Sequence, residues 1–392
     1  MDTTVTTTGL ATASVTEVAE SGRLHYLDHL RALAMLAGVF FHAALAYSPL
    51  MSGFFPTADR QNSVWVDGVA WGLHLVRMPL FFLVAGFFAA WLLQQRGGAA
   101  LARQRLRRIL VPFLVAWPLV WVSLSAGIVW AASNVQHPSA LLAMVRDWMQ
   151  MPDPPQGPPP TTMHLWFLYY LLLFGVLHWV LRTFDLGRVG AWLMARPAAV
   201  LLGLPLLVWP ALAAVSAPHP APESFLPQFW AVVFYGAFFA LGTQLHGHPD
   251  WLDRLRRHVP WMLPACIVLY AAFLWRLSAE LPAVANPLVP PVASWGVAAL
   301  EACLAVWGTV LCLLAGRRWL DRPNPVLRYF AQGSYWTYLL HLPLLFAVQY
   351  VLMDLEWHWP IKFAVASAVT LAGCLLSYQL LVRHTRLRRF VG

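Results

Sequence analysis

Long runs of apolar residues, separated by short polar stretches, make up most of this chain. A helix needs about 20 mostly apolar residues to cross the hydrocarbon core of a bilayer. Such runs lie near residues 27–48, 65–93, 109–132, 163–182, 198–215, 226–245, 260–277, 294–315, 327–353 and 360–382. The pattern therefore predicts an all-α, polytopic bundle of about ten transmembrane helices in a lipid bilayer, since helices satisfy their own backbone hydrogen bonds there.

The basic residues are distributed unevenly over the predicted loops. The loops after spans two, four, six and eight, with the two chain ends, hold 20 of the 26 lysines and arginines, and the alternate loops hold only Arg60, Arg146 and Arg276. Because basic residues accumulate on the cytoplasmic side, both termini are predicted to be cytoplasmic, in a bacterial inner membrane. Lys362 lies inside a span near its end, and we expect its charge to extend to the interface.

Composition agrees with a membrane protein and excludes other classes. The chain is 59% hydrophobic and only 11% charged, whereas soluble domains average about 25% charged residues. The net charge of +9 would suit nucleic acid, but nearly all of it flanks apolar spans, so no nucleic-acid partner is expected. The four cysteines all lie in apolar stretches. They predict neither a disulfide framework nor a zinc site, and no metal is expected.

Three regions follow from this reading. Residues 1–22 are rich in threonine and lack the basic start of a signal peptide, so we expect a disordered N-terminal tail. Residues 23–385 form the transmembrane domain. Residues 386–392 form a basic cytoplasmic tail.

Ionisable residues inside the predicted spans are candidates for chemistry, because hydrocarbon seldom tolerates them without a function. Arg31 and His42 are eleven residues apart; at about 100° per residue they share one helix face. His74 and Arg77 are three apart and also share a face. Glu301 lies within the eighth span.

The fourth and ninth spans carry further polar groups. His164 and Trp166 open the fourth span, and Ser334, Tyr338 and His341 follow an i, i+4, i+7 spacing along one face of the ninth. A rise of about 1.5 Å per residue places the histidines of spans one, two and nine and the glutamate of span eight at a similar depth. We therefore predict a buried polar chamber outside the bilayer midplane.

Arg105 and Arg108 belong to a basic run before the third span. Guanidinium groups match phosphate oxygens, so the run is a candidate binding site for a phosphate-rich ligand. The alternative, that it only orients the chain in the membrane, stays open.

Structural alternatives exist for other candidates as well. His164 and Trp166 would also suit a membrane interface. Ser334 would also suit a bond to its own helix backbone, and Arg77 would also suit an ion pair with Glu301.

Five blocks carry a family resemblance. They are Tyr26-Leu-Asp28-His-Leu-Arg31 with His42, Arg77-Met-Pro-Leu-Phe81-Phe82-Leu-Val-Ala-Gly86-Phe87, Arg105-x-x-Arg108 with Pro112, His164-Leu-Trp166-Phe167-Leu168, and Ser334-Tyr-Trp-Thr-Tyr338-Leu-Leu-His341-Leu-Pro343. In this order they resemble the acyltransferase-3 family of membrane acyltransferases. The fourth block resembles its glucan-modifying branch, typified by the succinyltransferase of osmoregulated periplasmic glucans. The sequence differs from the residues that this family often has at two positions, Ala85 in the second block and Leu342 in the fifth.

The resemblance implies that residues 23–385 are a transmembrane O-acyltransferase domain. Acyl-CoA, either succinyl-CoA or acetyl-CoA, would be a co-substrate, with no permanently bound cofactor. Arg31, Arg105 and Arg108 would bind its phosphates. The acceptor would be a hydroxyl of a periplasmic glucan or another glycan.

The resemblance also implies the catalytic roles. His42 would be the general base, and His74 or Glu301 would orient it. His341 would join the catalytic set, and His164 and Trp166 the substrate-binding set.

Arg77, Tyr338 or Ser334 would stabilise the oxyanion, and Arg77 would also meet the free carboxylate of a succinyl group. The alternative function is a proton-coupled transporter or flippase that uses the same buried groups. The sequence leaves open whether the chain forms homo-oligomers.

Overall fold

The computed structural model describes residues 24–157, 159–181, 184, 187–284 and 294–392. Within these ranges the chain forms helices and loops and no β-strand. The tail predicted for residues 1–22 lies outside the described residues, as do Arg23 and Arg182, which belong to the predicted cytoplasmic set.

A long helix coincides with each of the ten predicted spans. These helices are α1 His25–Leu45, α2 Val64–Arg105, α3 Val111–Asn134, α5 Trp166–Leu181, α7 Pro197–Leu212, α8 Phe229–Gly247, α10 Val259–Val284, α11 Trp295–Trp319, α12 Pro325–Met353 and α13 Trp359–Ser377. Four shorter helices lie between or after them: α4 Ala140–Gln150, α6 Gly187–Ala195, α9 Trp251–Leu255 and α14 Arg388–Val391.

The described part of the chain holds seven helical segments long and apolar enough to cross a membrane, or eight if a bent pair is one span. That pair consists of Arg188–Ala195 and α7, which meet at 111°. The segment Val64–Asn134 counts once although it contains both α2 and α3. The first helix, α1, is not among the seven, because its charged and histidine residues reduce its hydropathy. The protein is a multi-pass helical membrane protein, and the count of ten stays a prediction.

The break between α2 and α3 is local. Gly97 has φ of 75°, a conformation that glycine adopts without a Cβ clash. Beyond it, residues Leu106–Leu110 form a π-helical turn. Gly97 therefore kinks α2 itself, and the π-helical turn joins α2 to α3.

Contacts between loops show which helix ends lie together. The backbone N–H of Tyr26, at the start of α1, donates to Asp321, after α11, at 3.3 Å. Arg60, after α1, pairs with Glu356, after α12, at 2.7 Å. We call the first end, which carries most of the arginines, the arginine-rich end, and the second the opposite end.

Helices α2 and α8 cross so closely that a glycine of each helix lies against the backbone of the other. A Cβ atom on Gly86 would lie 2.0 Å from the carbonyl oxygen of Phe239, and one on Gly242 would lie 1.9 Å from that of Leu83. Small residues allow such close approach between helices in lipid. This crossing fixes the position of α2, which carries His74 and Arg77.

The expectation for Lys362 was wrong. Its ammonium nitrogen lies 2.6 Å from Asp59 Oδ2, with side-chain exposures of 1% and 3%. The loop after α1 brings Asp59 to the lysine, so the charge is neutralised in place and does not extend to the interface.

Candidate active site

A cavity of about 1210 Å³ lies between α1, α2, α3, α5, α8 and α12. Arg96, Arg108 and Gln332 line it at the arginine-rich end, and Pro56 and Glu223 line it at the opposite end. Residues from both ends of the helical bundle therefore line this cavity.

The structure brings eleven of the twelve predicted site residues to this cavity. They are Arg31, His42, His74, Arg77, Arg105, Arg108, His164, Trp166, Ser334, Tyr338 and His341. The twelfth, Glu301, is buried on α11 behind the lining residues.

Three histidines form the centre of the site. The His42 and His341 ring centroids are 5.3 Å apart, and those of His341 and His164 are 5.2 Å apart. The Tyr338 carbonyl accepts from His341 Nδ1 at 2.8 Å and from His164 Nε2 at 3.2 Å. Among the described residues no hydrogen bond holds the His42 ring, so both of its nitrogens are available to a ligand.

Arg77 lies beside this centre. Its Nη1 donates to the Gly38 carbonyl at 3.3 Å, its guanidinium carbon is 4.5 Å from the Phe41 ring centroid, and its Nε is buried without a partner. In the described structure no salt bridge joins it to Glu301. The alternative of an Arg77–Glu301 pair is therefore wrong, and the guanidinium faces a cavity that can admit an anionic group.

The arginine-rich end has a second pocket of about 540 Å³. It shares Arg96, Gln104 and Arg108 with the main cavity. Five arginines line it: Arg96, Arg103, Arg107, Arg108 and Arg389. Such a cluster suits several phosphate oxygens at once.

Arg31 and Arg105 line the main cavity and not this second pocket. Arg31 contacts Asp28 at 3.5 Å and donates to the Ala331 carbonyl at 3.2 Å. Arg105 has a buried Nε without a partner. The C-terminal segment closes around the same end, since Phe390 lines the cavity.

The hydroxyls of α12 are already engaged. Ser334 Oγ donates to the Ala331 carbonyl at 2.7 Å, which is the backbone bond weighed above. Tyr338 Oη donates to the His164 carbonyl at 2.5 Å. Trp166 is buried inside the bundle, 5.1 Å from the Tyr235 ring centroid, and does not face lipid.

Sequence reasoning missed His219. It lies in the proline-rich loop after α7, where its Nδ1 donates to Glu301 Oε1 at 3.3 Å and its backbone N–H donates to the same oxygen at 3.1 Å. His74 Nε2 donates to the His219 carbonyl at 3.0 Å. Glu301 therefore contacts His219, and its predicted contact with His42 is not present. The only available signal was a histidine between two prolines.

Glu223, Tyr235 and Tyr335 are among the other lining residues that were not predicted. Burial raises the pKa of the Glu223 carboxyl, and a hydrogen bond from the Thr161 hydroxyl at 3.3 Å opposes that rise. The opposite end of the cavity thus carries a carboxyl group whose proton is held more tightly than in water.

A bundle of apolar helices around a histidine- and arginine-lined cavity defines a membrane-embedded enzyme site. A family model described as an acyltransferase domain matches residues 24–379. The chain belongs to this acyltransferase-3 family and is a multi-pass membrane acyltransferase.

The similar curated proteins are named glucans biosynthesis protein C. Those of Salmonella heidelberg (strain SL476), Salmonella typhi and Salmonella typhimurium (strain LT2) are each 24% identical over 352 residues, covering 82% of this chain and 82% of the relative. No solved structure matches the chain. The family predicted from the five blocks is confirmed.

Proposed function

We propose that this protein transfers a succinyl group from cytoplasmic acyl-CoA to a hydroxyl of a periplasmic glucan or another glycan. The observation that carries the proposal is the cavity, which is lined by residues from both ends of the bundle and by His42. A donor and an acceptor from opposite sides of the inner membrane would meet there. The relatives named for glucan biosynthesis support a glycan acceptor.

The proposed topology has ten spans and both termini in the cytoplasm. It places the arginine-rich end on the cytoplasmic side, where acyl-CoA is made. Arg31, Arg105 and Arg108 then bind the phosphates of the donor, and the adjoining five-arginine pocket supports this placement. The acyl thioester extends from there toward the histidines.

In the proposed reaction the acceptor oxygen attacks the thioester carbon while His42 takes the hydroxyl proton. The carbon–sulfur bond breaks, and the thiolate leaves and takes a proton from the imidazolium. His341, His74 and His164 surround the reacting groups. Ser334 and Tyr338 already donate their hydroxyl protons, so of the three predicted candidates Arg77 is the one left to stabilise developing negative charge.

The test uses purified protein in lipid with radiolabelled succinyl-CoA or acetyl-CoA and unsubstituted periplasmic glucan. Label should move to glucan with release of free thiol. His42→Ala should reduce transfer by about 10²- to 10⁴-fold, the usual contribution of a general base. His246→Ala is the control, because this histidine lies outside the cavity and contacts Gln94.

Absence of transfer with both donors would contradict the proposal, and glucan movement across the membrane without thiol release would favour the transporter alternative. Full activity of His42→Ala would remove the assignment of the base.

The succinyl assignment depends on Arg77, whose charge would meet the second carboxylate of the acyl group. Arg77→Gln should lower succinyl transfer more than acetyl transfer. Equal use of both donors by the unaltered protein would contradict the succinyl assignment while leaving acyl transfer in place.

A further inference from the structure

Three histidines of the cavity hold their ring protons in fixed positions. His74 Nε2 faces the His219 carbonyl at 3.0 Å, and His164 Nε2 faces the Tyr338 carbonyl at 3.2 Å. His219 Nδ1 faces Glu301 at 3.3 Å. A carbonyl or carboxylate oxygen only accepts, so each of these nitrogens carries the hydrogen, and the other nitrogen of each uncharged ring is an acceptor.

These second nitrogens have no protein partner. His74 Nδ1, His164 Nδ1 and His219 Nε2 are all buried without a hydrogen bond, and all three residues line the cavity. Buried polar atoms in proteins are nearly always hydrogen-bonded. Three unpartnered acceptors around one cavity therefore indicate a ligand that brings several hydrogen-bond donors.

We propose that His219, together with His74 and His164, binds hydroxyl groups of the sugar acceptor. This inference rests on the proposed function and identifies residues that recognise its acceptor. A sugar carries several hydroxyl donors on a rigid ring, which matches several fixed acceptors. In the part of the chain that the structure describes, no three histidine, cysteine or acidic side chains are placed to hold a metal ion, so the unpartnered nitrogens do not form a metal site.

His219 lies where an acceptor from the periplasm would arrive. Its loop lines the cavity from Ser216 to Ala221, at the opposite end from the arginines. Its ring centroid is 4.4 Å from that of His74. Two histidine rings from distant parts of the chain thus lie next to each other at this end of the cavity.

Glu301 acts as a positioning residue. Its Oε1 accepts from both the ring and the backbone of His219, which fixes the ring orientation.

The decisive variant is His219→Asn. The asparagine amide nitrogen replaces Nδ1 as the donor to Glu301, so the loop stays attached, but nothing replaces Nε2. Loss of one strong hydrogen bond predicts a rise of about 10- to 100-fold in KM for unsubstituted periplasmic glucan. KM for the acyl donor should change less than about twofold, because the donor binds at the other end.

Glu301→Gln gives a second, milder test. The glutamine oxygen still accepts both hydrogen bonds, so the His219 ring keeps its orientation and KM for glucan should change by a few-fold at most. The matched control is His137→Asn. His137 Nδ1 also lies 3.3 Å from a carboxylate, that of Asp354, at the same end of the bundle and outside the cavity, and its loss should leave both KM values unchanged.

An unchanged KM for glucan in His219→Asn, with an unaltered protein that transfers label, would overturn this inference alone. Equal rises in both KM values, with a lower temperature of unfolding, would mean that the pair only holds the loop, and would also overturn it. Absence of transfer by the unaltered protein would overturn the proposed function, and this inference with it.

Discussion

At the scale of single residues, His42 differs from the other histidines of the cavity in how its ring is held. His341, His164 and His74 each donate to a carbonyl, while among the described residues His42 has only ring contacts. A ring without a fixed partner can rotate and exchange its proton with a bound substrate. The fixed rings serve better as binding groups.

Lys362 and Asp59 make a buried ion pair, with side-chain exposures of 1% and 3%. Removing one partner of such a pair leaves an uncompensated charge, which typically costs about 3–5 kcal/mol. Lys362→Met should therefore lower the free energy of unfolding by about that amount, measured by denaturant titration in detergent.

The double variant Lys362→Met with Asp59→Leu should recover much of the loss, because no charge is left buried. Arg60→Met serves as the control, since its pair with Glu356 is exposed and exposed pairs contribute little. A Lys362→Met protein as stable as the unaltered one would show that the pair is not desolvated.

At the scale of helices, the crossing of α2 and α8 determines where the site residues of α2 lie. Gly86 and Gly242 place backbone against backbone, so neither helix can shift without separating from the other. Phe82 fills the space beside the crossing, with its ring centroid 4.8 Å from that of Tyr235. Tyr235 in turn lines the cavity.

Gly86→Ala should separate α2 from α8, because the new Cβ would meet a backbone oxygen that cannot rotate away. Overpacking of this kind costs about 1–3 kcal/mol, seen as a lower temperature of unfolding, and acyl transfer should fall with it. Gly203→Ala is the matched control, since no atom lies within 4 Å of its Cβ position. Equal behaviour of the two variants would show that the close crossing is not maintained in lipid.

At the scale of the whole molecule, residues from both ends of the bundle line one cavity. An acyltransferase with this shape can take its donor and its acceptor from different sides of a membrane without moving either molecule across. The direction of transfer then depends only on which end faces the cytoplasm.

Single cysteines test that orientation. In a background without the four native cysteines, Gly157→Cys and Gly247→Cys place thiols at exposed positions with open space, at the opposite end and the arginine-rich end respectively. Position 157 should react with a membrane-impermeant maleimide from the periplasm, and position 247 only after the inner membrane is opened. The reversed pattern would contradict the proposed topology and the cytoplasmic donor together.

Much of this protein follows from its sequence alone. The ten helices could be predicted because an apolar run is a local feature of the sequence, and its length can be compared directly with the thickness of a bilayer. Eleven of the twelve predicted site residues line the cavity, and the buried histidines and arginines among them were noticeable for a related reason: an ionisable group in an apolar run is conspicuous before the fold is known. Pairs such as Arg31 with His42 needed only the helical repeat to be placed on one face.

The tertiary structure alone decided which of these groups touch. Glu301 and His219 are 82 residues apart, and Lys362 and Asp59 are 303 residues apart, so no local pattern relates them. His219 lies in a loop, where helical periodicity has no meaning and a histidine costs nothing to expose. Its role became visible only once the loop was packed against α11, because burial turns an ordinary ring nitrogen into an unpartnered acceptor.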